Sequence, residues 1–331
     1  MKRLVGTLLA AAALVVVSAS AEAEDARIAM VVKALGIGFF EAAKDGGEEA
    51  AKEIGGVELI YTGPAQTTAE AQIEVINSLI AQRVDAMAIS ANDTNALVPI
   101  AKRAMDRGIK VISWDSGIAP EGRIMQLDPS NIQLIGATQV KMMADTMGGE
   151  GEFAILSAAS NMTNQNAWIA AMKEELQKPD YAKMNLVTTV YGDDLFDKSY
   201  REALGLFKSH PNLKGIIAPT SVGIVAAAKA VTDQNLIGKV HVTGLGLPSE
   251  MKAYVDNGAT ETFAIWNPID LGYTATYLAY QLAKGGYSGE PGEEIPVGRM
   301  GTIKIGEDGS AAMAEPYIFD KSNIDKFAAM F

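Results

Sequence analysis

Short apolar runs alternate along the chain with longer stretches whose apolar residues recur every three or four positions. The runs at 26–32, 57–61, 84–90 and 109–114 predict β-strands, and the stretches 38–54, 66–82 and 95–107 between them predict helices. On the second helix Ala69, Ile73, Ile76 and Ile80 form the apolar stripe, with Glu70 and Gln72 on the opposite face. The polar loop Asn92, Asp93, Thr94 and Asn95 supplies a cap for the helix after it. The rhythm then restarts, with helices at 131–147, 164–177, 200–209 and 223–234, another from Pro248, and strands at 152–157, 185–191, 215–218, 239–243 and 262–265. A last long helix, 271–284, precedes a Gly/Pro-rich passage, 285–298.

Strand–helix–strand succession implies parallel sheets with helices on both faces, an α/β architecture of two doubly wound lobes. The restart near Gln126–Pro129 carries no Ser/Gly linker, and apolar elements remain after the second half is complete. The chain is therefore expected to cross between lobes three times, near 126, 266 and 298, through a three-crossing hinge. The expected division is 24–126 plus 267–297 for one lobe and 127–266 plus 298–331 for the other.

Length and charge narrow the function classes. A chain of 331 residues that is 48% hydrophobic can build a core in each of two domains. Its formal charge is −12 and its Lys and Arg are scattered, so no basic stripe exists for nucleic acid. The same acidity argues mildly against an anionic ligand. At the N-terminus Lys2 and Arg3 precede the apolar run Leu4–Val17, and small residues from Ser18 to Ala23 follow. This is the pattern of a cleavable signal peptide over 1–23, so the mature protein is expected to be exported, to the periplasm in a Gram-negative cell. With no Cys there is no disulfide, no lipid-attachment cysteine and no thiolate metal site. No cofactor and no metal are expected.

Candidate chemistry collects where strands end, because ligands of open α/β sheets bind beyond the carboxyl ends of the strands. The run Ile109–Gly117 ends a strand in Trp114-Asp115, a carboxylate beside a large aromatic, suited to a small hydroxylated ligand. The alternative is an Asp that only caps a turn, with Trp114 in the core. Lys33 ends the first strand and can donate to ligand oxygens, or can be a solvated loop lysine. Gly36-Ile37-Gly38 lacks the rest of a phosphate-loop fingerprint. Phe39 and Phe40 are adjacent at a helix start, so one is expected to line a ligand surface and the other to be core.

The stretch Asn161–Trp168 holds more amides than capping needs, including Asn164 and Gln165, which recognise neutral hydroxyls. Pro219, Thr220 and Ser221 form another strand-end loop that could simply cap. Trp266 and Asn267 end the last strand of the second half and combine an aromatic with an amide; hinge packing is the alternative. Asp193, Asp194 and Asp197 read as an acidic helix start rather than a cation site. His210 and His241, the only histidines, have no evident nucleophile or metal partner, so an enzyme is not expected.

Taken together, Lys33–Phe40, Gly108–Gly117, Asn164–Trp168, Ile216–Pro219 and Phe263–Asn267 resemble the periplasmic binding proteins of the ribose-binding type (type I), which serve ABC sugar importers. Within that family they are most similar to the branch of rhamnose-binding and autoinducer-2-binding proteins. The resemblance implies hinge closure around a small ligand, a membrane permease as partner, a monomer, and compatibility with a chemoreceptor role. It implies ligand contacts for Lys33, Asp115, Gln165 and Pro219. Asn164 stands where autoinducer-2 proteins have Asp, and Ser221 where they have Ala. Those two departures imply rhamnose as the ligand, with autoinducer-2 as the alternative.

Overall fold

The computed structural model describes residues 25–331, so the signal-peptide expectation at 1–23 lies outside the described residues. In the first half, β1 (Ala26–Val31), α1 (Gly38–Ile54), β2 (Val57–Thr62), α2 (Ala69–Gln82), β3 (Ala86–Ile89), α3 (Val98–Met105), β4 (Lys110–Trp114) and β5 (Gln126–Asp128) follow one another. The second half holds α4 (Ile132–Met147), β6 (Gly151–Ser157), α5 (Thr163–Glu175), β7 (Met184–Tyr191), α6 (Phe196–Ser209), β8 (Leu213–Ala218), α7 (Ser221–Asp233), β9 (His241–Gly244), α8 (Pro248–Asp256) and β10 (Phe263–Ile265). The tail adds α9 (Pro268–Ala283), β11 (Glu294–Pro296), β12 (Thr302–Lys304), β13 (Ser310–Ala312), β14 (Tyr317–Phe319) and α10 (Ile324–Phe327).

The first sheet has six strands in the order β13-β5-β4-β3-β1-β2, all pairs parallel. The second has four, β7-β6-β8-β9, again parallel. Each sheet thus reverses its winding once, beside β1 in the first and beside β6 in the second, which opens a crevice at the carboxyl ends of the strands. Residues Ala86–Ile89 are wholly buried, as a strand covered on both faces requires. Helix α9 returns to the first lobe and lies directly on α1. A Cβ on Gly46 would stand 1.8 Å from the Ile269 carbonyl oxygen, and one on Gly272 1.8 Å from that of Ala43, so only glycine permits this approach.

Three expectations about the frame are corrected. The chain was expected to leave the first lobe near 298. Instead Arg299 pairs with Glu49 on α1 and Asp270 on α9, and β13 hydrogen-bonds to β5. The third crossing therefore falls between Ala312 and Tyr317, where β14 joins β10. The first crossing likewise follows Asp128, because Leu127 and Asp128 belong to β5 in the first sheet. On α2 Gln72 was placed on the polar face, yet it is fully buried. Its Nε2 donates to the carbonyl oxygens of Val32 (3.1 Å) and Ser90 (2.8 Å), and its Oε1 accepts from Asn92 N (2.9 Å). The amide thus ties the ends of β1 and β3 together directly behind the crevice.

Candidate functional site

The crevices of the two sheets face each other across a small cavity. Its wall is built from residues just beyond the ends of strands and from the first turns of helices. Lys33 follows β1 and Asp115 follows β4, while Asp194, Pro219, Leu245 and Trp266 follow β7 to β10 in turn. Asn164, Gln165 and Trp168 come from the first turns of α5, and Phe39 and Phe40 from the first turn of α1.

Asp115 takes a left-handed backbone conformation (φ +58°), so the turn begins on the aspartate itself, one residue earlier than the expected turn at Ser116-Gly117. That conformation is uncommon outside glycine, but Asp tolerates it better than most residues. The side chain is 4% exposed and is held on several sides. Its Oδ2 accepts from Ser90 Oγ (2.8 Å) and pairs with Lys33 Nζ (3.3 Å), and its Oδ1 accepts from Asn164 Nδ2 (2.9 Å). Lys33 Nζ also donates to Asn164 Oδ1 (3.3 Å). A buried ion pair persists where hydrogen bonds satisfy both ions, and here the second lobe supplies part of that satisfaction through Asn164.

Gln165 is oriented differently. Its Oε1 accepts from Ser157 Oγ and Ala158 N, both at 2.7 Å, so the remaining polar atom at the cavity, Nε2, is a donor. Trp266 is 3% exposed, and its Nε1 has no hydrogen-bond partner. A buried indole N–H without a partner is costly unless a bound group accepts from it. Around it stand Phe39 and Trp168, edge-on at centroid distances of 6.2 and 5.6 Å. The cavity therefore joins apolar ring faces and edges to a few convergent donors and acceptors.

Nine of the ten expected positions, Lys33, Phe39, Phe40, Asp115, Asn164, Gln165, Pro219, Ser221 and Trp266, line this cavity. Asn267 does not. Its Oδ1 accepts from Ile269 N (3.0 Å) and caps α9, the natural role of an Asn before a Pro in the first helical turn. Phe39 and Phe40 were expected to divide between ligand surface and core, but both reach the cavity. Their rings meet nearly at right angles (83°), Phe39 edge-on to Trp266 and Phe40 edge-on to the core residue Trp114.

Asp194 was assigned to an acidic helix start and is instead part of the wall. It too is left-handed (φ +51°), and Thr220 Oγ1 donates to its Oδ1 at 2.5 Å. Loss of water pushes its pKa above the usual carboxylate range; Lys33 and the Thr220 hydroxyl oppose the shift, and Asp115 and Asp193 add to it. The sequence does carry a signal for it, since 192–195 follows a strand as the loops of Lys33 and Asp115 do.

At the rim the lobes touch through hydrogen bonds. Asn161 Nδ2 donates to Asp93 Oδ2 (2.9 Å), Thr67 Oγ1 to the Asp193 carbonyl oxygen (2.9 Å), and the hydroxyls of Thr94 and Thr163 meet. Burial works to raise the pKa of Asp93, but hydrogen bonds from Ala96 N, Asn161 and Asn95 N hold it below the ordinary value. The cleft is closed.

Comparison with known proteins agrees with this geometry. Residues 28–287 match the periplasmic binding protein domain family. A solute-binding protein of an ABC transporter from Clostridium phytofermentas, solved with bound L-rhamnose, is 37% identical, with a TM-score of 0.89 over 93% of this chain and 99% of that one. The D-ribose/D-allose-binding protein of Pseudomonas aeruginosa is 28% identical over 71% of this chain and 75% of its own length. LsrB from Clostridium saccharobutylicum, solved with AI-2, shares the fold at a TM-score of 0.87 and 23% identity, covering 91% of this chain and 99% of that one. Family members are binding proteins of transporters rather than enzymes. The chain belongs to the periplasmic binding protein family and has its two-lobed α/β fold.

Proposed function

We propose that this protein is the extracytoplasmic solute-binding component of an ABC sugar importer, that L-rhamnose is its ligand, and that the lobes close around the sugar. The observation that carries this reading is the buried Lys33–Asp115–Asn164 group, which spans the two lobes and borders a cavity that the Gln165 amide and Trp266, with its unpartnered indole N–H, also line. Hydroxyls both donate and accept, so a sugar can give protons to Asp115 while receiving them from Lys33, Gln165 and Trp266. The aromatic rings would cover its C–H faces, including the methyl group of a 6-deoxy sugar.

The rhamnose-bound relative supports this ligand among the sugars that such proteins carry. Asn164 and Ser221 in the wall favour it over autoinducer-2. The partner would be the membrane permease of the importer, which the loaded monomer meets in the periplasm, and a chemoreceptor could read the same closed form.

The test is calorimetric titration of the mature protein, unfolded and refolded to strip carried-over ligand, with L-rhamnose and separately with the autoinducer-2 precursor. One-to-one binding of rhamnose alone is expected. Binding of the signal precursor alone overturns the rhamnose assignment. Silence to both, and to other neutral sugars, overturns the sugar reading.

A further inference from the structure

Among the described residues the charged side chains lining the cavity are Lys33, Asp115 and Asp194. One ammonium thus faces two carboxylates. Lys33 is already committed to Asp115 and to Asn164, which leaves Asp194 without a cation of its own. Thr220 fixes Asp194 in place, and Thr67 of the opposite lobe fixes the neighbouring Asp193 carbonyl in the closed form. Asp194 also borders the neighbouring groove lined by Leu35, Leu195 and Phe196. Loss of water already makes negative charge costly at Asp194, and an anionic ligand would add a further negative charge beside Asp194 and Asp115 where the single counter-charge, Lys33, is occupied. A hydroxyl meets an acceptor.

We propose that Asp194 is a specificity-determining residue of the cavity: with Asp115 it flanks Lys33, accepts a hydroxyl from a neutral polyhydroxy ligand, and turns away sugars that carry a carboxylate. This rests on the sugar-binding reading above. The excluded class is the aldonic and uronic acids, which match neutral sugars in size and hydroxyl pattern and differ in charge. Discrimination by an unpaired like charge needs no extra contact to the favoured ligand.

The experiment uses the refolded mature protein and a panel of L-rhamnose, D-arabinose, D-fucose and D-tagatose. The sugar that binds most tightly is compared with L-rhamnonate and D-galacturonate in wild type, Asp194→Asn and Asp194→Glu, with thermal melts confirming that each variant is folded. Wild type is expected to prefer the neutral sugar by roughly a hundredfold or more. Asp194→Asn should bind the neutral sugar about tenfold more weakly and narrow the preference about tenfold. Asp194→Glu should keep the preference even where its longer side chain weakens affinity.

A preference unchanged in folded Asp194→Asn, including no acid binding to either protein, overturns the proposal. So does loss of the preference in folded Asp194→Glu. Acid binding as tight as sugar binding in wild type overturns it without any variant. A wild type that binds none of the neutral sugars overturns the sugar reading itself, and this inference with it, so the two failures are distinguishable.

Discussion

The two lobes wind their central strands in the same order, β2-β1-β3-β4 in one and β7-β6-β8-β9 in the other, yet they present opposite chemistry to the cavity. The first lobe contributes an ion pair braced from behind: Ser90 holds Asp115, Asn92 Nδ2 donates to the Lys33 carbonyl oxygen (2.8 Å), and Gln72 ties the strand ends. The second contributes amides, hydroxyls and one carboxylate that lacks its own cation. Topology decides where the loops gather; the residue that follows each strand decides what the cavity can hold. Closure joins the two chemistries, because Asn164 completes the hydrogen bonding of the Lys33–Asp115 pair only when the lobes meet.

The largest effect should come from removing the first lobe's charge. Asp115→Asn keeps the shape but loses charge-assisted hydrogen bonds, and sugar affinity should fall about a hundredfold, roughly 3 kcal/mol. Calorimetry checks this, and near-normal affinity would take Asp115 out of the site.

A second carboxylate of that lobe provides the contrast. Asp128 ends β5 in the same sheet but lies outside the cavity lining, with Gln126 Nε2 donating to it at 3.0 Å. Burial pushes its pKa from 3.8 up to about 6; Gln126 and Arg123 counter the shift, and Asp308 and Asp115 reinforce it. A folded-state value above the unfolded one means that this group favours the fold below about pH 4 and that the benefit is lost as pH rises through about 6. Asp128→Asn should therefore raise stability by up to ~2 kcal/mol at pH 8 and change little at pH 3.5. Sugar affinity should stay as it is. Melting curves at the two pH values, paired with titrations, separate this carboxylate from Asp115.

On the side of the second lobe, Trp266→Phe keeps most of the ring and removes the unpartnered N–H. An about tenfold loss of sugar affinity is expected if a ligand hydroxyl accepts from it. An unchanged affinity would assign that indole to packing alone. The smallest effect concerns the rim. Thr67→Val deletes the hydrogen bond to Asp193 at nearly constant shape, and affinity should fall about threefold, through faster release measured by stopped flow.

Much of this was legible in the sequence because apolar runs stop sharply. The ends of β1, β4 and β8 can be read from Val32-Lys33, Trp114-Asp115 and Ala218-Pro219, and all three ends reach the cavity. Less legible were features that depend on distant partners. Strand β13 is three residues long and exists by pairing with β5, more than 180 positions earlier in the chain, so no local pattern announces the late third crossing. Gln72 looks polar in a helix pattern and becomes a buried brace only when the ends of β1 and β3 stand beside it. Asp194 sits in a run of acidic residues whose local reading is a helix start. Its left-handed backbone and its proximity to Lys33, which arise from the fold, bring it to the wall. Asn267 differs in the other direction: it was grouped with its neighbour's aromatic ring against hinge packing as the alternative, and its side chain is a local helix cap outside the cavity lining.

The most direct test of the account is the crystal structure of the refolded protein grown with L-rhamnose. One pyranose is expected between the lobes, its hydroxyls on Asp115 from one side and Gln165 Nε2 from the other, with an oxygen within hydrogen-bond distance of Trp266 Nε1. A sugar bound elsewhere, or one held by a single lobe with Asp115 and Gln165 untouched, would contradict it.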